Sequence, residues 1–346
     1  MAVPSFGAAT TMPSEENDEP AAAGGGKNMV HNKQGIDMLH GRIWTKVLRF
    51  ALPVAATGIL EQLFNASGIM IVGNFSQSDG TAAVAAVGSN APVTGLILNL
   101  FIGIALGANV VIANAIGRGS REAVRNAVHT SIVTALIGGV IVAIIGELLA
   151  GPLLGMLNVT ADVFPLALAY LRIYLIGMPV ILLYNFETAI FRSIGDTQAP
   201  LAVLAISGVL NVTMGLIFVV LFHWGVSGVA TATVIANVVS SMILLYRLVH
   251  TDAAIHVDLR EFGIDWFTLR QILRIGLPAG VQSAVFAVAN IIIQAAINSL
   301  GTVVMAASSA AFNIEIIAYY VLNSFSQACA TSVSYTHLTL PTKLEV

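Results

Sequence analysis

Charge is what this sequence has least of. Only 10% of its 346 residues are Asp, Glu, Lys or Arg, against about a quarter in a soluble domain. A chain so poor in charge cannot cover itself with a surface that water accepts. Cysteine is nearly absent as well. Cys329 is the single one, which excludes an internal disulfide and any Cys-based metal site. The seven His (31, 40, 129, 223, 250, 256 and 337) are scattered without ligand spacing. No GxxxxGK[ST] phosphate loop is present, so ATP hydrolysis has no support. No Ser-His-Asp or paired-carboxylate arrangement stands in a loop, so nothing points to an enzyme. No cofactor and no nucleic-acid partner are expected.

What the chain does have is apolar length. Hydrophobic residues make up 57% of it, with a mean hydropathy of +0.86. The apolar runs are roughly 20 to 27 residues long, which suits membrane helices and is about twice a barrel strand. In lipid every backbone polar group must be satisfied within its own segment, and helices do that. The expectation is an all-α polytopic bundle of about eight spans. They lie near 47–73, 84–116, 124–150, 163–190, 200–222, 226–249, 269–299 and 303–331.

Lys and Arg in the short loops orient the bundle. One side receives Arg42, Lys46, Arg49, Arg118, Arg121, Arg125, Arg192, Arg247, Arg260, Arg270 and Arg274. The loops of the other side, near 74–83, 151–162, 223–225 and 300–302, hold neither residue. The N-terminus and the 251–268 linker are therefore expected in the cytoplasm, with the protein in the plasma membrane as a monomer. Residues 1–40, with SEENDEP and AAAGGG, read as a disordered cytoplasmic extension. Residues 41–250 read as a six-helix N-terminal lobe, and 269–332 as the start of a second lobe.

An internal repeat supports the two lobes. Leu48-Arg-Phe-Ala-Leu-Pro53 returns as Leu273-Arg-Ile-Gly-Leu-Pro278, at the start of a helix in each case. An even number of spans separates the copies, so they share one orientation. Transporters are commonly built from such repeats, with the pathway between them.

Ionisable groups at membrane depth cost a few kcal/mol or more each and call for an explanation. Glu61, Glu187 and Glu315 are the candidates for binding a proton, Na⁺ or a cationic substrate. Glu147 and Arg172, of opposite charge on consecutive helices, read as a buried structural ion pair. Among the amides, Asn65 lies one turn from Glu61 on the same face. Asn185, Asn211 and Gln282 complete the candidate binding set, with Asn99, Asn290 and Gln294 as interhelical hydrogen-bonding groups. Gly103-x-x-x-Gly107 reads as a close helix contact.

The run LRFALPVAATGILEQLFNASGIMIVGNF resembles the first helix of multidrug and toxin extrusion (MATE) transporters. YLRIYLIGMPVILLYNFETAIFRSIGDTQAPL and AAFNIEIIAYYVLNSFSQACAT resemble the family's helices 4 and 8. The resemblance covers about residues 42–332. It implies a fold of twelve helices in two six-helix lobes around a cleft. It also implies antiport, with H⁺ or Na⁺ moving in while a small organic, often cationic, compound moves out. Glu315 matches the family's helix 8 acid and is the place for a bound Na⁺. Many members carry an Asp where this chain has Gly68, and another where it has Gly215, so the usual acidic pair of the first lobe is missing. Glu61 faces the same way as Gly68, two turns deeper. A flippase for lipid-linked precursors shares a related architecture, but its cleft would carry several Arg or Lys for phosphate, and only Arg172 lies at depth here. A non-transport membrane protein would need a catalytic constellation or a soluble domain. The second copy of the repeat holds two helices against six in the first, and VSYTHLTLPTKLEV resembles adapter or vector sequence. The expectation is a C-terminally truncated chain with a non-native tail over 333–346.

Overall fold

Helices longer than a bilayer is thick dominate the architecture. The computed structural model describes residues 43–75, 80–157, 159, 161–258, 263–298, 315 and 318–333, so the expected extension over 1–40 and, apart from helical Val333, the expected tail over 333–346 lie outside it. In order come α1 (Ile43–Phe75), α2 (Gly80–Gly117), α3 (Arg121–Met156), α4 (Phe164–Ile176), α5 (Met178–Ser193), α6 (Gln198–Leu216), α7 (Gly225–Val249) and α8 (Trp266–Asn298). Residues 318–333 are helical, as is Glu315, and no strand occurs among the described residues.

Six of these helices are long and apolar enough to cross a membrane, and a bent pair makes a seventh span. At about 1.5 Å per residue, the 33 residues of α1 reach about 50 Å, well beyond a hydrocarbon core of about 30 Å. Its first turns, with exposed Trp44 and Arg49, therefore project from the apolar zone. Along α3, Ile137, Val140, Ile141, Ile144, Ile145 and Leu148 are exposed, the expected face toward lipid. The eighth expected span, near 303–331, falls partly on residues outside those described.

The ends of the helices follow from local chemistry. Gly119 takes φ +69° where α2 stops, and Ser120 caps α3 by accepting from the N–H of Ala123 at 3.3 Å. Between α5 and α6, Gly195 turns the chain at φ +79°, and Asp196 Oδ1 accepts from the N–H groups of Gln198 and Ala199. After a π turn at Ile217–Leu221, the ring cluster of Phe218, Phe222 and Trp224 holds the tight turn into α7.

Two expectations change. The span near 163–190 is not one straight helix: α4 and α5 meet at a 53° bend. Pro179 is the cause, since it cannot donate to Leu175 and its ring crowds that carbonyl. Gly139 of α3 receives the bend, and a Cβ there would stand 2.3 Å from Pro179 Cα. The 251–268 linker is not merely a charged connector. Ala253, Ile255 and Val257 are buried in the core that α2, α3, α5, α6 and α7 share. Val257 N–H donates to Leu248 O at 3.1 Å, and Asp258 N–H donates to His129 Nε2 at 3.2 Å.

Lipid tails are as apolar as leucine, so helices in a membrane associate by close fit rather than by escaping water. The closest fit lies between α2 and α8. A Cβ on Gly103 would fall 2.2 Å from Gly280 Cα, and one on Gly107 2.7 Å from Gly276 N. The expected Gly103-x-x-x-Gly107 contact is thus one half of a matched pair, with Gly276-x-x-x-Gly280 as the other.

Candidate functional site

Polar side chains at membrane depth gather in one place. Six-helix packing of α1, α2, α4–α5, α6 and α7 leaves a cleft of about 740 Å³, counted to its open mouth. Glu61, Asn65, Asn185 and Asn211, all expected site residues, line it together. Glu61 is the one carboxylate on its wall among the described residues. It stands deep in the bundle, yet its own surface is free in the cleft. Asn65 follows one helical turn on, so both project on the same side of α1.

The cleft also holds groups that sequence reasoning passed over. Tyr174 and Tyr184 come from the α4–α5 span, Ser207 from α6, and Thr233, Asn237 and Ser240 from α7. Their signal was spacing: 233, 237 and 240 fall on one helical face. Phe64 completes one wall, its ring pressed against α6 at Gly208, where a Cβ would lie 1.9 Å from Phe64 Cε2. Tyr174 stacks on Tyr170 with ring centres 6.1 Å apart.

Four of the lining groups have already spent a proton on their own helix. Asn185 Nδ2 donates to Ile181 O at 2.8 Å and Asn237 Nδ2 to Thr233 O at 2.9 Å. Thr233 Oγ1 donates to Val229 O at 3.0 Å and Ser207 Oγ to Leu204 O at 3.2 Å.

The other expected residues lie elsewhere. Glu187 is completely buried on α5, outside the cleft. Ser241 of α7 is placed toward it, but neither carboxylate oxygen makes a bond of ordinary geometry. Gln282 is exposed on α8 and Glu315 is exposed in its helical position, and neither lines the cleft. Asn99 donates to Gly95 O at 2.8 Å within α2, Asn290 is exposed on α8, and the side chain of Gln294 lies outside the described residues. Arg172 Nε approaches Glu147 Oε2 at 3.6 Å, but the side chains are 55% and 31% exposed. The pair sits on the surface of the bundle rather than inside it, because α3 and α4 turn these positions outward. Gly68 and Gly215 are also off the cleft: Gly68 faces Val229, and a Cβ on Gly215 would only touch Ile71 at 3.5 Å.

At the Arg-rich end, the 318–333 helix fastens to α2 and α5. Arg192 Nη1 donates to Gln327 Oε1 at 2.9 Å, and Thr331 Oγ1 donates to Asn109 Oδ1 at 3.2 Å. Gly58 of α1 lies under the ring of Tyr320.

Known proteins share this arrangement. Residues 53–217 match the family model described as MatE. The probable multidrug resistance protein YoeA of Bacillus subtilis is 26% identical over 300 residues, covering 84% of this chain and 63% of that protein. The FAD transporter of Shewanella oneidensis is 24% identical over 292 residues, 80% of this chain and 64% of that one. The chain thus spans about 63% of the length of such curated relatives. The solved structure of MATE in complex with MaD3S superposes with a TM-score of 0.80 at 25% identity, over 89% of this chain and 69% of that one. The chain is thus an all-helical membrane bundle that resembles multidrug and toxin extrusion transporters, in sequence over residues 53–217 and in fold over 89% of its length.

Proposed function

We propose that this protein exports small organic, often cationic, compounds across the plasma membrane by antiport against H⁺ or Na⁺, with no ATP and as a monomer. The observation that carries the reading is Glu61. It is the one carboxylate among the described residues lining a membrane-depth cleft otherwise walled by amides, hydroxyls and rings. A carboxylate in such a cleft holds a positive charge well, and it can hold only one at a time. Substrate and coupling ion therefore exclude each other there, which is the thermodynamic requirement for exchange. Where many relatives use the positions of Gly68 and Gly215, this chain uses Glu61, two turns deeper on α1. Asn65, Asn185 and Asn211 orient the cargo. Glu315 is a second coupling site, belonging to the later lobe. The N-terminus lies in the cytoplasm, as the Lys and Arg distribution requires.

The test is gradient-driven efflux. Cells making the protein should lose a fluorescent organic cation faster than control cells, and an ionophore that collapses the H⁺ or Na⁺ gradient should remove the difference. Glu61→Gln keeps the shape and removes the charge, so efflux should fall by about tenfold or more, the scale of losing one desolvated charge partner. Efflux at the unmodified rate in Glu61→Gln would overturn the reading.

A further inference from the structure

Arg172 carries a charge on a face that meets lipid. Its side chain is 55% exposed, and it lies outside the cleft. One turn from Arg172 on α4, Ile176 is 66% exposed, and one turn from Glu147 on α3, Ile144 is 58% exposed. The ion pair therefore sits on a stretch of surface that is otherwise apolar. Its depth follows from α3. His129 and Thr130 accept from the N–H groups of Asp258 and Asp265, so the purely apolar part of α3 begins near Ile132. A hydrocarbon core of about 30 Å takes about 20 residues from there and ends near Pro152. Glu147 then lies about 7 Å inside that edge, where a long basic side chain snorkels to the headgroups. The guanidinium is also underused. Its Nε is 3.6 Å from Glu147 Oε2, longer than a hydrogen bond. Among the described residues, none of its five N–H groups has a hydrogen-bond partner in the protein.

We propose that Arg172 binds the phosphate of a glycerophospholipid and so keeps one lipid seated between α3 and α4. The leaflet is the one away from the Arg-rich loops, the outer one in the orientation proposed above. Phosphate is the anion a bilayer supplies at this level, and the planar guanidinium fork matches two of its oxygens. Glu147 meets the guanidinium at Nε, which leaves the Nη1 and Nη2 edge to the lipid. The other oxygen of Glu147, Oε1, is enclosed by protein, so the site recognises phosphate and not the amine of a headgroup. Room for the glycerol lies on the outer side of the pair. Gly151 and Gly155 follow Glu147 by one and two turns, and a Cβ on either would meet nothing within 4 Å. Because Arg172 is off the cleft, the lipid is retained on the bundle and not carried through it.

The experiment is native mass spectrometry of the whole 346-residue chain, titrated in mixed micelles with phosphatidylethanolamine or with monoglucosyldiacylglycerol of the same acyl chains. Both lipids are neutral overall, so the Arg-rich loops favour neither, and only the first has a phosphate. The unmodified chain should hold one phosphatidylethanolamine about tenfold tighter than the glycolipid, the scale of hydrogen bonds to a charged group. Arg172→Gln should bring the two lipids level. Glu147→Gln keeps the shape of its side chain and removes the competing anion, so it should hold phosphatidylethanolamine as tightly as the unmodified chain or tighter. A merely structural ion pair would make the two variants behave alike. Excess inorganic phosphate should leave the lipid in place, since it brings no acyl chains. Equal retention of the two lipids by the unmodified chain overturns the inference. So does a preference that survives Arg172→Gln, a loss in Glu147→Gln equal to that in Arg172→Gln, or displacement of the lipid by inorganic phosphate. If Arg172→Gln fails to fold, the lipid comparison on the unmodified chain and Glu147→Gln still decide.

Discussion

Asp265 shows how much one side chain can decide. It stands just before α8, and its carboxylate accepts from Phe267 N–H at 3.2 Å, from Thr268 N–H at 3.3 Å and from the Thr268 hydroxyl. The first turn of a helix has backbone N–H groups with no partner, and a carboxylate there satisfies them and meets the positive end of the helix dipole. The Thr268 hydroxyl, followed by the two backbone donors, holds the Asp265 carboxyl below its ordinary value. A depressed carboxylate contributes stability that is present above the ordinary Asp pKa of about 4 and is lost as pH falls through the lower folded value. Amide exchange at Phe267 and Thr268 should therefore quicken on acidification below about pH 4, relative to amides deep in α8. Asp265→Ala should quicken it at neutral pH by an amount worth about 1 kcal/mol. Exchange insensitive to both changes would remove Asp265 from this role. At this scale the cleft was partly legible. Glu61, Asn65, Asn185 and Asn211 stand out in sequence because charge and amide groups are costly at membrane depth. Ser207 and Thr233 do not, because a hydroxyl that bonds its own helix costs little anywhere in a membrane. Glu187 looks like Glu61 in sequence. Which of two similar acids meets a cavity is set by the rotation of helices, and that no local pattern records.

At the scale of elements, glycine spacing controls how α8 is held. Gly103 and Gly107 of α2 meet Gly280 and Gly276 of α8 backbone to backbone, at distances that leave no room for a side chain. Nothing flexible can give way at these points, so a larger residue must separate the helices. Gly107→Val and Gly276→Val should each lower the thermal midpoint of the detergent-solubilised protein by several degrees, the usual response to about 2 kcal/mol or more of overpacking. Gly151→Ala, where a Cβ meets nothing within 4 Å, is the matched control and should change little. Midpoints unaltered by the valines would mean that α2 and α8 are not in contact. The first glycine pair was readable as a contact face, but its partner in GLPAG was not, since each is an ordinary short pattern until the two are brought together. The bend between α4 and α5 was similarly hidden. Proline inside a membrane helix is common, and whether it kinks depends on a receiving surface, here Gly139. Ala253, Ile255 and Val257 are buried between exposed Ala254, His256 and Asp258, but a turn closed by His256 N–H on Ala253 O interrupts the run, and no regular period announces it.

For the whole molecule, the spans at α1, α2, α3, the α4–α5 pair, α6 and α7 followed from hydropathy alone, because a bilayer imposes length and helicity on any chain that crosses it. Which of those spans enclose a cavity did not follow, since that is a property of packing among distant segments. The central claim concerns what the resulting cleft does: Glu61 holds either a coupling cation or a cargo cation, and never both. Its most direct measurement is the count of protons released, or Na⁺ ions displaced, when an organic cation binds the chain in nanodiscs, read by a pH-sensitive dye or a Na⁺ electrode. The account predicts about one cation released per cargo bound at a pH where Glu61 is occupied, in keeping with the reciprocity of linked binding, and none from Glu61→Gln. Binding of cargo to the unmodified chain with no release of H⁺ or Na⁺, or the same release from Glu61→Gln, would contradict it.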